Sequence, residues 1–378
     1  MNGSVKNSRP KKKKLRPKAQ SFDYTILFVV IILVFFGIIM IFSSSYYDTL
    51  TSKKFNYDMY YFLKRQTVWA ILGFIAMWVT MRLPMNLYKR LSFLAYMFSN
   101  VCLVLLRFIG TEVNGQKRWL FGFQPSEVAK ISVILFLSLY ISTHKNSLKT
   151  MKGFLKCCAV FGIPVILIAL SNLSTAIIVT GIGATILFVA SPKIWYFVVA
   201  GIIASIGGFF AVTLPQFAYR FSRIKIWRDP FSDPLGDGYQ IIQGLYAVAS
   251  GGLFGLGLGQ SRQKTFIPEA HNDIIFAIIC EELGMIGAFV VIILFALFIW
   301  KGIKIALKSE DMYNCLVATG ITTMIGFQAL INIAVVTNTI PNTGQPLPFI
   351  SYGGSSLLIT MASVGILLNI SKYCKGDD

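Results

Sequence analysis

The feature that most constrains this chain is the run from Tyr24 to Phe42, 19 residues without one charge. A bilayer's hydrocarbon core is about 30 Å thick, so a spanning helix needs roughly 20 mostly apolar residues. Comparable runs recur along the sequence and predict spans near 24–43, 67–84, 90–109, 127–143, 154–171, 174–191, 194–213, 274–300, 313–337 and 352–370. The pair at 154–191 is split only by Ser171-Asn172-Leu173-Ser174, which allows a hairpin or one broken helix. Composition excludes the soluble alternative. Hydrophobic residues are 55% and charged residues 13% of the chain, against about 25% charged in soluble domains. So little polar surface could not cover a water-soluble body, whereas lipid tolerates apolar side chains facing outward. The expected fold is an all-α polytopic membrane protein of about ten transmembrane helices.

The net charge of +19 resembles a nucleic-acid signal until it is placed along the chain. Eight of the 35 basic residues fall in the first 18 positions, including Lys11 to Lys14. Beside a first span, such a tail fixes topology and meets anionic lipid headgroups. No basic face with interleaved aromatics supports nucleic-acid binding. With a cytoplasmic N-terminus, the cytoplasmic segments hold 21 Lys and Arg and the external ones 13, six of them in one long loop that the positive-inside rule discounts. Both termini are therefore expected in the cytoplasm. Residues 1–20 are expected to form a disordered basic tail, 21–372 the membrane domain, and 373–378 a short cytoplasmic tail. No cleavable signal peptide is apparent, since the first apolar run exceeds a usual h-region. The six cysteines lack metal-type CxxC spacing and read as small buried hydrophobes, with no disulfide framework implied.

Two external segments stand apart. Residues 214–273, between the seventh and eighth predicted spans, form a connection far longer than the rest, and long loops in compact folds are usually functional. Residues 338–351 (NTIPNTGQPLPFIS) hold three prolines and no charge. Such a stretch between two spans suggests re-entrant backbone lining a cavity.

Ionisable groups in or beside spans are costly and mark candidate chemistry. In Gln124-Pro125-Ser126-Glu127-Val128-Ala129-Lys130, Pro125 suits a helix start and Glu127 its first turn. Lys130, three residues on, meets Glu127 on one face. This is either an ion pair stabilising the helix start or a polar cavity wall. In His271-Asn272-Asp273, Asn272 or Asp273 is placed to cap the following helix. Asp273 would equally suit a general base whose pKa partial desolvation raises. Glu281 and Glu282 follow two turns later, with Glu282 pointing opposite to Asp273. The glycine series from Gly251 to Gly259 lacks the Gly-Lys-Ser/Thr of a phosphate-binding loop and suits close packing of a turn. Arg220, Arg223, Lys225 and Arg228 form either a solvated face or an electrostatic site for a phosphorylated substrate. His144 and His271, the only histidines, form no HExxH site, and no serine nucleophile elbow is present.

Five ordered segments together resemble one family: Asn114-Gly115 with Arg118-Trp119, QPSEVAK at 124–130, GYQIIQGLYAVASGGLFGLGLGQS at 238–261, IPEAHNDIIFAIICEELGMIG at 267–287, and NTGQPLPFISYGGSS at 342–356. They look like the SEDS family of bacterial cell-wall polymerases (RodA, FtsW and SpoVE), across about residues 20 to 372, with a leaning to the FtsW branch. The resemblance implies a ten-span peptidoglycan glycosyltransferase that polymerises lipid II on the outer face of the cytoplasmic membrane, beside a class B penicillin-binding protein. The family's essential Asp falls on Asp273, and its cavity residues on Gln124, Glu127 and Lys130. Arg118, Arg220, Arg223, Arg228, Glu269, His271 and Ser351 join these as candidate substrate-binding residues. No covalent cofactor is implied, but a divalent cation (Mg or Mn) is compatible with a pyrophosphate leaving group. Two departures stand out: Asn172 where the family often has Asp, which leaves only hydrogen bonding there, and Ile274 where an aromatic is common. The alternatives are a flippase for the lipid-linked precursor, for which ten spans and a Pro-broken segment would also serve, and a scaffold that only recruits the penicillin-binding protein.

Overall fold

The computed structural model describes residues 22–374 apart from 114–115, 121, 145, 203–204 and 206–217. The predicted tail at 1–20, most of the one at 373–378, the Asn114-Gly115 motif and much of the predicted span at 194–213 lie outside the described residues. The helices are α1 (Tyr24–Thr51), α2 (Tyr61–Arg82), α3 (Met85–Ile109), α4 (Pro125–Thr143), α5 (Met151–Ala169), α6 (Leu173–Ala190), α7 (195–202), α8 (Ala218–Arg228), α9 (Tyr239–Ser250), α10 (Ile275–Lys308), α11 (Met312–Val336) and α12 (Gly354–Ser371). Strands β1 (Thr111–Val113) and β2 (Gln116–Trp119) form a two-stranded antiparallel hairpin.

Local chemistry sets these boundaries. Asp23, Thr150, Asn172 and Asp311 cap α1, α5, α6 and α11, each side chain accepting from a first-turn amide. Pro125 occupies the first turn of α4, where its missing N–H leaves no bond unmade. The run 154–191 is a hairpin: α5 ends at Ala169 and α6 starts at Leu173.

Among the described residues, eight helices are long and apolar enough to cross a membrane. They are α1, α3, α4, α5, α6, α10, α11 and α12. The other two predicted spans correspond to α2 and the segment from 194. At 22 residues, α2 is about 33 Å long but too polar to count by hydropathy, because it begins at Tyr61 and takes in Lys64, Arg65 and Gln66. Its packing follows small residues on both sides. The methionine of Met361 lies over Gly73, Trp69 lies over Gly354, and Thr80 sits at Gly365. The Thr80 hydroxyl also donates to the Ala362 carbonyl at 2.9 Å. Such small-residue contacts let helix backbones approach where no hydrophobic drive exists.

Two irregular features shape the half of the bundle expected to be external. Residues 341–347 have no regular structure, yet Leu347, Phe349 and Ile350 are buried. A Cβ on Gly37, midway along α1, would meet the Ile350 Cα at 2.7 Å, so this loop dips to the middle of α1. Helix α10 breaks at Gly284, whose φ is +66°. There the glycine-rich segment takes over the broken hydrogen bonds. Leu256 and Gly257 amides donate to the Glu281 and Glu282 carbonyls at 2.9 Å, and the Met285 and Ile286 amides donate to Gly252 and Leu253.

Candidate active site at the end of the long loop

From Ala218 onward the long connection folds into α8, α9 and short 3₁₀ turns before reaching Asp273. Neither Asn272 nor Asp273 caps α10. The cap position is Ile274, without a side-chain bond. Asn272 instead donates from Nδ2 to Glu269 Oε2 at 2.6 Å, closing a turn in which Glu269 holds a φ of +51°. That strained backbone is unusual for a non-glycine residue.

Asp273 is half-buried, and the re-entrant loop lies against it. A Cβ on Gly344 would stand 3.5 Å from Asp273 Oδ2. Its carbonyl accepts from Asn332 Nδ2 of α11 at 2.7 Å, and the same nitrogen donates to the Gln345 carbonyl at 2.8 Å. One buried amide thus ties Asp273 to the Pro-rich loop. Burial pushes the Asp273 carboxyl above its ordinary range, and the charge of Glu269 pushes the same way. Arg223 and Arg118 pull against both. An acid and two guanidinium groups from three separate elements therefore act on one carboxyl group.

The remaining candidates fall into recognisable places. Arg223 also donates to the Asn342 carbonyl at 3.2 Å and lines a cavity of about 380 Å³ with Asp237, Gln240 and Asn342. Arg228 is exposed in the last turn of α8, where five residues at 100° turn it about 140° away from Arg223. Arg220 lies on α8, its side chain outside the described ones. Ser351 is buried and braces the re-entrant loop, its hydroxyl accepting from the Leu347 amide at 2.8 Å. His271 is buried, its ring 4.0 Å from that of Phe62 and edge-on to Tyr352. Desolvation lowers its pKa to about 4, so the imidazole is neutral near pH 7.

Gln124 precedes α4 at its cap position without a side-chain bond. Glu127 and Lys130 form an ion pair at 2.8 Å, both buried, and Ser356 of α12 donates to Glu127 Oε2 at 3.1 Å. This second cluster is joined to the first through the start of α12, since the Tyr352 amide donates to the His271 carbonyl at 2.9 Å. Asn172 caps α6 by accepting from the Thr175 amide at 3.1 Å, a bond that needs no charge. Ser174 and Thr175 then hold the Thr343 carbonyl and the Gln345 amide.

The domain-scale likeness matches this geometry. The sequence profile of the family described as "Cell cycle protein" (FtsW, RodA, SpoVE) matches residues 23–376. The chain belongs to that family. Stage V sporulation protein E of Bacillus subtilis is 41% identical over 95% of this chain and 99% of its own. A protein named probable peptidoglycan glycosyltransferase FtsW from Geobacter sp. (strain M18) is 37% identical over 95% of this chain and 99% of its own. Among solved structures, a chain from work on the coordination of polymerization and crosslinking by a peptidoglycan synthase complex superposes with a TM-score of 0.77. It is 26% identical and covers 93% of this chain and 97% of that one. RodA of Thermus thermophilus shares the fold, with a TM-score of 0.67, 24% identity and coverage of 94% and 98%. Within the FtsW/RodA/SpoVE frame, residues that sequence reading missed are Asn332, Gly344 and Gln345. Asn332, one of three amide side chains inside the otherwise apolar α11, carried a signal of its own, and Gly344 and Gln345 lay within the 342–356 motif.

Proposed function

We propose that this chain is a peptidoglycan glycosyltransferase that polymerises lipid II into glycan strands at the outer face of the cytoplasmic membrane, in complex with a class B penicillin-binding protein. The observation that carries the reading is a half-buried Asp273 carboxyl, raised in pKa and acted on by Arg118 and by Arg223, the latter lining a cavity of about 380 Å³. Asp273 takes the proton from the acceptor sugar's 4-hydroxyl as that oxygen attacks the donor's anomeric carbon. The glycosidic bond forms as the anomeric carbon–phosphate bond breaks, the anomer inverts, and polyprenyl pyrophosphate leaves. The leaving group gathers negative charge, so fixed cations near it lower the barrier. Arg118 and Arg223, whose charges bear on Asp273, are assigned that role. Among the described residues no group of three His, Cys, Asp or Glu side chains gathers; a divalent cation would be held by one carboxylate and the pyrophosphate oxygens, as Mg²⁺ commonly is, and no step is routed through one.

Flippase activity is not favoured, because the relatives carry glycosyltransferase names and the transporter reading has no use for a base at Asp273. The test is incubation of the purified complex with lipid II, with glycan chains resolved on a gel, with and without divalent cations. Wild type is expected to make long chains and Asp273→Asn none above about 1% of that rate, within the span ascribed to a lost general base. An Asp273→Asn protein that folds, binds its partner and polymerises at the wild-type rate overturns the assignment.

A further inference from the structure

Besides the Glu127–Lys130 pair, the mechanism leaves three buried charges unused. Glu281 and Glu282 are fully buried in α10, and Lys264 is 3% exposed. Every carboxylate oxygen of the two acids has a donor. Glu281 accepts from the Ser261 hydroxyl, from the Arg262 amide at 3.0 Å and from the Gln263 amide at 3.3 Å. Glu282 accepts from the Ser43 hydroxyl of α1 at 2.7 and 2.5 Å and from the Ser261 amide at 3.4 Å. Lys264 Nζ lies 3.3 Å from Glu282 Oε1, donates to the Gly259 carbonyl at 2.6 Å, and sits 4.6 Å from the centre of the Tyr46 ring.

Stability alone is a poor reason for this arrangement. Buried ion pairs recover little more than the cost of desolvating them, and apolar replacements of similar volume are often as stable. What the cluster does provide is a fixed position. Lys264 stands at the start of the segment that ends at Asp273, and α10 holds the other end from Ile275. With Lys264 tied to Glu282, the residues between are closed at both ends on one rigid helix. Ser43 extends the tie to α1.

We propose that Lys264, Glu281 and Glu282 are positioning residues for the polymerase reaction: they pin the base of the 265–273 segment to α10 and α1, and so fix where the Asp273 carboxylate stands. The proposal rests on Asp273 being the base, and it acts through that residue rather than on substrate.

The test uses the full chain with its partner protein. Lys264→Met combined with Glu282→Leu removes the pair without stranding either partner's charge, and Glu281 keeps its Ser261, Arg262 and Gln263 donors. The double variant is expected to keep its melting temperature within a few degrees, to lose at least tenfold in kcat with KM for lipid II little changed, and to show faster amide hydrogen exchange across 265–274 but not in α11 or α12. Lys264→Arg, which keeps the charge, should restore both exchange and rate. Should the double variant fail to fold, Ser43→Ala is read the same way, with a smaller but measurable rise in exchange. Unchanged exchange, or faster exchange with a wild-type kcat, overturns the proposal. The exchange readout is independent of activity. If Asp273→Asn polymerises normally, the catalytic reading fails, while exchange in 265–274 still judges whether the tie holds the segment.

Discussion

At the scale of single residues, Asp273 is held in a state that favours function over stability. Burial raises its pKa above the ordinary carboxylate value, so the folded state prefers the protonated form. The contribution of that proton is fully present below the unfolded pKa, about 3.9, and is lost as pH rises through the folded value. At neutral pH the ionised carboxylate therefore costs stability. Asp273→Asn, close in shape and uncharged, should melt higher than wild type at pH 7, with the difference shrinking as pH falls towards 4. A lower melting temperature at pH 7 would contradict this account. For the proposed catalysis the sign is opposite, since a general base must be ionised, and polymerisation should fall as pH drops through the raised pKa. His271 is the obvious rival for that acidic limb. Its imidazole is neutral down to about pH 4 and packs on Phe62 and Tyr352, so a His271→Gln variant should keep the limb where it is. A limb that disappears in this variant would move the titrating role to His271.

Among the elements, the re-entrant loop is the piece on which the site depends most. Gly344 adopts a φ of +62° in contact with Asp273, a conformation that costs a residue with a side chain about 1–2 kcal/mol. Gly344→Ala adds a methyl group against Oδ2 as well. The expected result is a melting temperature a few degrees lower and a loss of kcat of about tenfold, larger than the strain alone explains. Equal, small losses in both would mean that the loop does not bear on the carboxylate. The loop was legible in sequence because three prolines and no charge between two spans admit little else. The hairpin β1–β2 carrying Arg118 was not read as a hairpin, although Asn-Gly between short strands is the strongest local hairpin signal. Helices α8 and α9 were hidden for another reason: at 11 and 12 residues they are too short for a hydropathy window and form by packing on α10, α11 and the re-entrant loop. Helical spacing separated Glu282 from Asp273, but Asp273 lies before α10, which starts at Ile275. Spacing could not supply the partners of Glu282, because Ser43 lies 239 residues away in sequence.

For the whole molecule, apolar run length carried most of the architecture, and orientation depends on charge. The segments around Asn146 and after Trp300 carry clustered Lys, while the re-entrant loop carries none; basic connections stay on the cytoplasmic side. The long loop holds six basic residues, yet connections of that length translocate largely regardless of charge. These statements fix a two-sided pattern that cysteine labelling can read, because the native cysteines of the chain are buried or half-buried. Leu235, between α8 and α9, is 89% exposed, and Asn146, between α4 and α5, is exposed as well. In spheroplasts, a Leu235→Cys protein should react with a membrane-impermeant maleimide before lysis, and an Asn146→Cys protein only after it. The reverse pattern would place Asp273 on the cytoplasmic side and overturn the proposed outer-face polymerisation. The orientation, and not the fold, is what the proposed outer-face position of Asp273 depends on.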